Sequence, residues 1–429
     1  MNVVREKTNL SGSIEAPPSK SLTQRAIACA VLAEGHSRIR ASSLCADALS
    51  ALGVARALGA TVERRDAWIS IQGSPLFREL ASGLWEGNDE AGIDLDCGES
   101  GLCMRMFSPI AALLPRSTRL LASGSLSARP MAMMEEPLRS LGAFCSTRDG
   151  RAPIAIRGPL RGGSISLDSS GSSQFLTGLL LALPMAREDS EILARGTVSR
   201  GYLDLSIAAA RAFGVKIERD ENYGRFSISG RQDYQATTYE VEGDWSSASF
   251  LVAAAALAAS EEGLSIRGLD KESQQPDKAV LEAAAAAGTP FEFLGTTLRV
   301  GRASLKAFSF DATDCPDLFP PLAALASACP GVSDIKGVGR LRGKESDRAA
   351  SLMAMLKNLG IGSEIHGDSL RIHGARPSGG RVEAWGDHRI AMAAAVAALA
   401  SQDSVIIDGA ECVAKSWPGF FDDLDSLRS

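Results

Sequence analysis

The feature that most constrains the fold of this 429-residue chain is an internal repeat that occurs six times. In each copy a segment rich in Gly, Ser and Asp, here called an opener, runs directly into a helix-like stretch of Ala and Leu. The openers are marked by Ser21, Gly101, Ser173, Ser247, Asp317 and His388, which lie 80, 72, 74, 70 and 71 residues apart. A fixed period of this size indicates a chain built from one repeated supersecondary unit of about 72 residues.

Two further features keep the same period. A second helix follows the opener helix and ends on a glycine, which tolerates the left-handed conformation after a helix better than other residues. These glycines are Gly59, Gly142, Gly214, Gly288 and Gly360. A hairpin-like pair of short strands then ends on Gly73, Gly158, Gly230, Gly301 or Gly374. Chance similarity among Ala-rich helices is the alternative, but it would not place three different features at one period.

The repeats also predict a domain organisation. The first interval is the longest because the segment SPLFRELASGLWEGNDEAG is inserted there, and the sixth unit stops at Ser429, where its second helix should end. Residues 1–17 are strand-like and have no repeat of their own, so we expect them to supply the strand missing from the last unit. The predicted domains are residues 18–239 and a discontinuous domain of residues 1–17 plus 240–429, with three repeats in each.

Composition argues against several classes of protein. The chain has 45 Lys and Arg against 51 Asp and Glu, and this net charge of −6 argues against a broad nucleic-acid-binding face. The longest apolar runs, residues 250–259 and 390–400, are about half the roughly 20 residues that span a bilayer. The N-terminus lacks the apolar region of a secretory signal.

Cysteine and histidine usage points to a reducing compartment. The eight cysteines are scattered without a C-x-x-C pair, and the four histidines do not lie at metal-ligand spacing from one another or from a cysteine. Nucleotide-binding motifs of the P-loop or Rossmann type are also missing from the sequence. We therefore expect a cytoplasmic globular protein without metal or cofactor, which binds neither membrane nor nucleic acid.

The openers have the character of anion-binding sites. Each helix start offers unpaired N–H groups and roughly half a positive charge. Basic residues lie in the openers and in three other segments: Lys20, Arg25, Arg105, Arg129, Arg340, Arg342, Lys344, Arg348, Arg389 and Lys415. Any one of them could be a solvated surface charge, but their placement around repeated helix starts favours a pocket for anionic ligands.

Serines at the openers have two interpretations. Ser172, Ser173 and Gln174 could hold a phosphate with their hydroxyl and amide groups, or could only cap the third opener helix. Ser246 and Ser247 have the same pattern without a basic residue beside them. For that second pair we prefer the capping interpretation.

Two carboxylates and one histidine are candidates for proton chemistry. A carboxylate at a helix start beside basic residues stays ionised, which suits Asp317 to accept a hydroxyl proton. Glu345 is predicted at a helix start between Lys344 and Arg348, and its alternative role is an i,i+3 surface ion pair. His388 could be a hydrogen-bonding residue whose charge depends on its neighbours.

With these residues identified, the chain resembles the 3-phosphoshikimate 1-carboxyvinyltransferases, also called 5-enolpyruvylshikimate-3-phosphate synthases, of the enolpyruvyl transferase family. The similarity runs from Pro18 to Pro418 through PSKSLTQR, ESGLCMR, ARP, SSQFLTGLL, VSRGYLD, VEGDWSSAS, PDLFPPLAALA, RGKESDR, GDHRIAM and AKSWP. The resemblance implies an α/β fold, the inside-out α/β barrel of the enolpyruvyl transferases. It implies two pseudo-symmetric domains, each of three βαβαββ repeats, with the active site in the cleft between them.

The resemblance also implies a reaction. The enolpyruvyl group of phosphoenolpyruvate would be transferred to the 5-hydroxyl of shikimate 3-phosphate, giving 5-enolpyruvylshikimate 3-phosphate and phosphate. This addition–elimination belongs to the shikimate pathway, which leads to chorismate and the aromatic amino acids. The expected partners are the two small-molecule substrates, and the expected state is a cytoplasmic monomer.

Ligand contacts follow from the resemblance position by position. The expected phosphoenolpyruvate contacts are Lys20, Gly101, Arg129, Gln174, Arg348, Arg389 and Lys415. The expected shikimate 3-phosphate contacts are Lys20, Ser21, Arg25, Ser172, Ser173, Ser199, Tyr202, Asp317 and Lys344. Asp317 is expected to be the base, Glu345 the acid that protonates the methylene carbon, and Lys20 a charge-balancing catalytic residue. His388 is expected to support them.

The chain departs from the family pattern in the second opener. It reads Glu99-Ser100-Gly101-Leu102 where the family usually has Asn-x-Gly-Thr, which leaves the loop's contact with phosphoenolpyruvate and the sensitivity to glyphosate open. Pro18 replaces the usual glycine, and Arg340 stands where a neutral polar residue is common.

Two other functions are alternatives to this one. The sibling enolpyruvyl transferase that acts on UDP-N-acetylglucosamine would carry Lys-Asn in place of Lys20-Ser21 and a catalytic cysteine in a mobile loop. A binding protein would keep the anion pocket without turnover. Retention of both Asp317 and Glu345 argues against that second alternative.

Overall fold

The computed structural model describes residues 1–82 and 92–429. Two compact units make up the chain. We call Lys20–Val241 the central unit, and we call Met1–Ser19 together with Glu242–Ser429 the terminal unit. Each unit has its own hydrophobic core.

The regular elements are short and alternate along the chain. The strands are β1 Asn2–Arg5, β2 Leu10–Glu15, β3 His36–Arg40, β4 Thr61–Arg65, β5 Trp68–Gln72, β6 Ile93–Asp96, β7 Ser117–Leu121, β8 Phe144–Arg148, β9 Arg151–Arg157, β10 Gly163–Asp168, β11 Ser190–Arg195, β12 Glu218–Arg219, β13 Arg225–Ile228, β14 Thr238–Glu240, β15 Ala259–Arg267, β16 Phe291–Leu294, β17 Thr297–Val300, β18 Ser309–Asp311, β19 Gly331–Lys336, β20 Gly362–His366, β21 Ser369–Gly374, β22 Gly380–Glu383 and β23 Val405–Asp408. The α-helices are α1 Lys20–Leu32, α2 Ala46–Ala57, α3 Pro75–Ser82, α4 Gly101–Ala112, α5 Glu135–Ser140, α6 Gln174–Ala182, α7 Arg200–Ala212, α8 Trp245–Ala258, α9 Val280–Ala286, α10 Phe319–Ser327, α11 Arg348–Asn358, α12 His388–Ala398 and α13 Phe420–Ser426. Single turns of 3-10 helix cover Gly124–Ala128, Ala132–Met134, Leu183–Met185, Pro276–Ala279, Pro316–Leu318, Val338–Leu341 and Ala410–Lys415.

The six predicted opener helices are confirmed as α1, α4, α6, α8, α10 and α12. Every residue of α4, α8, α10 and α12 is buried. A helix that is apolar on all sides is stable only inside a core, so the Ala- and Leu-rich stretches form the interior of each unit. Their N-terminal ends carry the polar openers.

All six sheets follow one plan. The central unit contains the sheets β14-β3-β5-β4, β6-β7-β9-β8 and β10-β11-β13-β12, and the terminal unit contains β16-β17-β15-β2, β18-β19-β21-β20 and β1-β23-β22. In the five four-stranded sheets a parallel pair is extended by an antiparallel hairpin, which confirms the predicted hairpins. In the sixth sheet β1 takes the hairpin's place.

The prediction for residues 1–17 was right for one strand and wrong for the other. β1 pairs antiparallel with β23 and so completes the last repeat, as predicted. β2 instead pairs in parallel with β15 of the fourth repeat. The first and fourth repeats exchange the strand that lies just before their opener helices. β2 precedes α1 but pairs in parallel with β15, which follows α8, and β14 precedes α8 but pairs in parallel with β3, which follows α1.

The periodic glycines have two different causes. Those after the second helices have positive φ, from +75° at Gly360 to +93° at Gly142, as predicted. Two of those after the hairpins allow a close approach, because a Cβ on Gly73 or Gly374 would collide with the carbonyl oxygen of Ala33 or Cys329 at the end of the preceding opener helix.

The predicted insertion begins with α3, Pro75–Ser82, and its residues 83–91 lie outside the described residues. All eight cysteines are free thiols. Within residues 1–82 and 92–429, no helix has the length and apolar character needed to cross a bilayer.

Candidate active site

The predicted site residues divide between the two units, and we call the two sets the central cluster and the terminal cluster. The central cluster contains Lys20, Ser21, Arg25, Gly101, Arg129, Ser172, Ser173, Gln174, Ser199 and Tyr202. The terminal cluster contains Asp317, Lys344, Glu345, Arg348, His388, Arg389 and Lys415. Most of these residues lie at the first turn of a helix or in the loop that leads into one.

Arg25 is the most deeply enclosed cation of the central cluster, with 2% of its surface exposed. It donates to Ser206 Oγ (2.9 Å), to the carbonyl oxygens of Ser21 (2.9 Å) and Tyr202 (3.0 Å), and to Thr177 Oγ1 (3.4 Å). All four acceptors are neutral, and burial lowers the pKa of Arg25 to about 10. Because a guanidinium has five N–H donors, one N–H remains for another acceptor.

The start of α4 brings three predicted residues together with one that was not predicted as a contact. A Cβ on Gly101 would lie 2.9 Å from Arg129 Nη1 and 3.0 Å from Arg105 Nη1, so a larger residue there would displace the ends of these two side chains. Arg105 also donates to Gln174 Oε1 (2.8 Å) and to the Pro130 carbonyl (3.2 Å). The sequence signal that could have identified Arg105 as a contact was its position in the second opener, four residues after Gly101.

Lys20 is the first residue of α1 and has a carboxylate partner that sequence reasoning missed. Its Nζ lies 3.2 Å from Asp47 Oδ2, and both side chains are largely buried. Asp47 occupies the first turn of α2, where acidic residues are common because they complement the helix dipole. That ordinary position gave no reason to single it out.

The serines of the central cluster differ in what they do. Ser172 Oγ accepts from Gln174 N (3.2 Å), which confirms a capping role, whereas Ser173 makes no side-chain cap bond. Ser199 precedes α7 in the left-handed conformation, with φ of +53°. A non-glycine residue pays roughly 1–3 kcal/mol for such a conformation, and it persists here because the surrounding fold imposes it.

Ser246 and Ser247 do not cap α8, so that prediction was wrong. Asp244 is the N-cap, accepting from Ser246 N (2.9 Å) and Ser247 Oγ (3.2 Å). The carboxylate precedes the serines and reaches both groups, which leaves the serines inside the first turn.

Arg348 organises the terminal cluster. Its side chain is fully buried and contacts three carboxylates: Asp317 Oδ1 (2.8 Å), Glu345 Oε2 (2.5 Å) and Asp387 Oδ2 (2.9 Å). Burial opposes the charge, but Asp387, Glu345 and Asp317 outweigh burial and raise the pKa of Arg348. The guanidinium is therefore a permanent cation that fixes the three carboxylates around it.

Asp317 is surrounded by cations. Besides Arg348, it contacts Arg389 Nη2 at 3.1 Å and Lys344 Nζ at 3.4 Å. Burial alone would raise the pKa of Asp317, but Arg389, Lys344 and Arg348 hold that pKa well below its ordinary value. The pKa of Lys344 is lowered by the same burial.

Glu345 differs from its prediction in two ways. The helix α11 begins three residues later, at Arg348, with Asp347 as its N-cap. The i,i+3 pair with Arg348 exists, but it is buried, since only 11% of the Glu345 side chain is exposed. Lys415 Nζ lies 4.0 Å from the other carboxylate oxygen.

Asp387 is a second carboxylate that the sequence did not assign. It is fully buried and caps α12 by accepting from Arg389 N (3.0 Å), and it also accepts from Ser346 Oγ (3.1 Å). His388 lies beside it, with Nδ1 4.0 Å from Asp387 Oδ1. Asp387 thus joins the start of α12 to Arg348.

The two clusters are suited to different chemistry. The central cluster places guanidinium groups beside a helix start and hydroxyl groups, an arrangement that binds phosphates and carboxylates. The terminal cluster adds two carboxylates beside permanent cations, which suits proton transfer. Among the residues described, there is no group of three or more His, Cys, Asp or Glu side chains that could hold a metal ion.

Comparison with known proteins shows similarity along the full chain. Residues 4–424 match the family model of EPSP synthase (3-phosphoshikimate 1-carboxyvinyltransferase). The chain is 37% identical to the 3-phosphoshikimate 1-carboxyvinyltransferase of Methanocorpusculum labreanum, with 100% of this chain and 98% of that protein covered. It is 35% identical to the corresponding protein of Clostridium botulinum, with 97% and 95% covered.

Solved structures show the same similarity. An EPSP synthase from Acinetobacter baumannii superposes with a TM-score of 0.79 at 25% identity, covering 100% of this chain and 98% of that one. The enolpyruvyl transferase NikO from Streptomyces tendae has a TM-score of 0.75 at 17% identity, covering 99% and 97%, and so shares the fold.

Proposed function

This chain belongs to the family of EPSP synthases (3-phosphoshikimate 1-carboxyvinyltransferases), and from its own contacts we propose how its residues perform the family's reaction. The activity is the transfer of the enolpyruvyl group of phosphoenolpyruvate to the 5-hydroxyl of shikimate 3-phosphate. Phosphate is released, and the product continues along the shikimate pathway towards the aromatic amino acids. The roles of individual residues below are our proposal.

One observation carries the proposal: Asp317 and Glu345 both contact the guanidinium of Arg348, at 2.8 Å and 2.5 Å. Addition–elimination needs one group that removes the hydroxyl proton and another that delivers a proton to carbon. A shared permanent cation keeps both carboxylates at fixed positions while protons move.

Phosphoenolpyruvate is proposed to bind through cations of both clusters. Its phosphate carries about −1.5 to −2 charges near neutrality and its carboxylate adds another, so several cations are needed. The proposed contacts are Lys20, Gly101, Arg129, Gln174, Arg348, Arg389 and Lys415. Arg105 joins this set as a positioning residue, because it holds the Gln174 amide oxygen at 2.8 Å.

Shikimate 3-phosphate is proposed to bind through the hydroxyl-rich part of the central cluster and through two residues of the terminal cluster. Its contacts are Lys20, Ser21, Arg25, Ser172, Ser173, Ser199, Tyr202, Asp317 and Lys344. Arg25 is proposed to contribute to this binding in two ways. Its remaining N–H donates to the ligand, and its bonds to the carbonyl oxygens of Ser21 and Tyr202 fix the backbone of these two residues.

Proton transfer follows from the electrostatics of Asp317. Three cations hold its pKa low, which weakens it as a base. Anionic ligand groups bound by Arg389, Lys344 and Arg348 offset those charges and raise the pKa of Asp317 towards the working range. The base therefore becomes effective only when both ligands are bound.

The bond changes are then balanced. Asp317 takes the 5-hydroxyl proton as the new C–O bond forms at carbon 2 of phosphoenolpyruvate, while Glu345 protonates the methylene carbon to a methyl group. Loss of phosphate from the tetrahedral intermediate breaks the bond between carbon 2 and the phosphate oxygen, as Glu345 removes a proton from that methyl group and the proton held by Asp317 passes to the departing phosphate. Lys20 balances the charge, and His388 supports the start of α12.

We further propose that one pair of ligands is shared by both clusters, in a cleft between domains of residues 18–239 and of residues 1–17 plus 240–429. Support comes from the division of roles, since the central cluster lacks Asp317 and Glu345 and the terminal cluster lacks Arg25. Ligand pairs should therefore compact the molecule. Identical small-angle scattering with and without both ligands would contradict this.

We also propose a cytoplasmic monomer. The eight free thiols support a reducing compartment, and most of them are buried. Sedimentation at several protein concentrations tests the monomer, and fractionation of cells that express a tagged chain tests the compartment.

Phosphate release tests the reaction itself. Purified protein with phosphoenolpyruvate and shikimate 3-phosphate should release phosphate, and omission of either substrate should stop it. UDP-N-acetylglucosamine in place of shikimate 3-phosphate tests the sibling activity. Ligand binding without release would instead indicate a binding protein.

A further inference from the structure

The second opener contains a carboxylate with a specific partner. Glu99 is an exposed residue of the loop between β6 and α4, two residues before Gly101. Its Oε2 accepts from both the backbone N (3.1 Å) and the Oγ (3.0 Å) of Ser125. Both bonds hold the same carboxylate oxygen against Ser125, and bonds to an ionised acceptor are stronger than neutral ones.

The loop around Ser125 is built to receive this carboxylate. Gly124 has φ of +48°, and a Cβ there would collide with the Glu99 carboxyl group. The same two loops are also joined by the backbone, since Ser123 N donates to the Gly98 carbonyl (2.8 Å). A glycine at position 124 therefore leaves room for the Glu99 carboxylate. The Glu99–Ser125 bonds add side-chain contacts to the backbone bond that already joins the two loops.

The loop that Glu99 holds leads directly to Arg129. The 3-10 turn Gly124–Ala128 ends there, and Arg129 N donates to the Leu126 carbonyl (3.0 Å). The Arg129 guanidinium in turn lies against Gly101, with Nη1 2.9 Å from the position that a Cβ on Gly101 would take. Glu99 and Ser125 thus connect the segments that carry these two residues.

We propose that Glu99 is a positioning residue, which anchors the 3-10 turn through Ser125 so that Arg129 stays beside Gly101 and meets the phosphoenolpyruvate anion. The inference rests on the proposed function, because Arg129 and Gly101 are its proposed ligand contacts. It gives the departure from Asn-x-Gly-Thr in this opener a role within the chain's own structure.

Kinetics with three variants and a control test this proposal. Glu99→Ala removes both bonds, Ser125→Ala removes only the hydroxyl bond, and Glu99→Gln keeps an uncharged acceptor. We expect Glu99→Ala to raise the KM for phosphoenolpyruvate roughly tenfold, since a bond to a charged group is worth about a tenfold change. Ser125→Ala and Glu99→Gln should each raise it about threefold. The exposed carboxylate of Glu63 lies on β4 and serves as the control, Glu63→Ala.

Selectivity distinguishes positioning from general damage. The KM for shikimate 3-phosphate and kcat should change less than about threefold, and Ser125→Ala should have no further effect in the Glu99→Ala background. Hydrogen exchange at the Ser125 amide should become faster in Glu99→Ala and stay unchanged in Glu63→Ala, a readout that does not depend on turnover.

Several results would overturn the proposal. A lower KM for phosphoenolpyruvate in Glu99→Ala would show that the carboxylate repels the ligand, and equal increases for both substrates would show a structural role only. Additive effects of the two alanine variants would show that they act independently. If the wild-type chain releases no phosphate, the proposed function has failed, and unchanged exchange at Ser125 in Glu99→Ala would then separately refute the anchoring. If Glu99→Ala does not fold, Ser125→Ala and Glu99→Gln carry the test.

Discussion

Two buried arginines, one in each unit, show how differently the same side chain is used. Arg25 in the central unit donates only to hydroxyl and carbonyl oxygens, and burial lowers its pKa. Arg348 in the terminal unit contacts Asp317, Glu345 and Asp387, which raise its pKa. Arg25 is thus a buried charge without a carboxylate partner among the described residues, whereas Arg348 has three carboxylate partners.

In the proposed mechanism, this difference between the two arginines corresponds to a difference between ligand binding and proton transfer. A cation held by neutral groups keeps its charge available to an anionic ligand, so the fold accepts a desolvation cost in return for binding. A cation held by carboxylates is partly neutralised, and in the proposed mechanism Arg348 keeps the proton-transferring groups in place in addition to meeting phosphoenolpyruvate. In the proposed mechanism the terminal unit therefore supplies the acid–base groups together with some of the ligand-binding cations, while the central unit supplies ligand-binding cations only.

The strongest test of this division is Glu345→Gln. The amide can neither deliver nor accept the proton, so kcat should fall roughly 10²- to 10⁴-fold while the dissociation constants of both substrates change little. Steady-state kinetics and calorimetric titration measure the two effects. Glu364→Gln, an exposed change on β20 of the same unit, is the control. Full turnover in Glu345→Gln would remove that residue from the mechanism.

Replacing each arginine by methionine compares the two environments directly. Arg348→Met strands three carboxylates, and loss of a buried ion-pair partner costs about 3–5 kcal/mol of unfolding free energy. Arg25→Met strands only neutral acceptors, and the expected cost is about 1–3 kcal/mol. Urea unfolding of both variants measures the difference. Equal losses would mean that the two sites are not energetically distinct.

Ligand stabilisation tests the availability of the Arg25 charge. Shikimate 3-phosphate at one hundred times its dissociation constant should stabilise the wild-type chain by about 2.7 kcal/mol. Arg25→Met should lose most of this stabilisation, and Arg25→Lys should keep part of it, because lysine retains the charge but not the planar fork. Unfolding with and without the ligand gives the values. Full stabilisation in Arg25→Met would show that the ligand does not use this charge.

Acid pH should affect the terminal unit through Asp317. Its pKa is lower in the folded state than its unfolded value of about 3.9, so the stability it contributes is complete above that value and is lost as the pH falls towards the folded pKa. Asp317→Asn should reduce the slope of unfolding free energy against pH in this window by up to about 1.4 kcal/mol per pH unit. Arg25→Met should leave the slope unchanged, since its acceptors do not titrate there. The same slope in wild type and Asp317→Asn would contradict the shift.

The sequence predicted features that depend on local pattern. Opener helices, hairpins and the left-handed glycines such as Gly142 each leave a sequence signal within a few residues. Because the same signals recur in successive repeats, each copy supported the interpretation of the others. Features that depend on tertiary placement were missed. β2 pairs with a strand about 250 residues away, which no local pattern specifies.

The candidate site shows the same limit. Lys20, Arg25 and Arg348 were identified because their motifs are specific, and their roles remain predictions. Asp47 and Asp387 were overlooked because an acidic residue at a helix start normally reads as a cap or a dipole partner. Only the fold reveals that each also contacts a cation of the site.

The pairing of β1 with β23 and of β2 with β15 has a consequence for the order in which the chain folds during its synthesis. A ribosome completes every strand of the central unit before it makes the partners of these two, because β15 begins at Ala259 and β23 at Val405. β1 and β2 are therefore made well before the strands with which they pair. Since domains generally fold as units during translation, the central unit can finish folding while β1 and β2 still lack their partner strands.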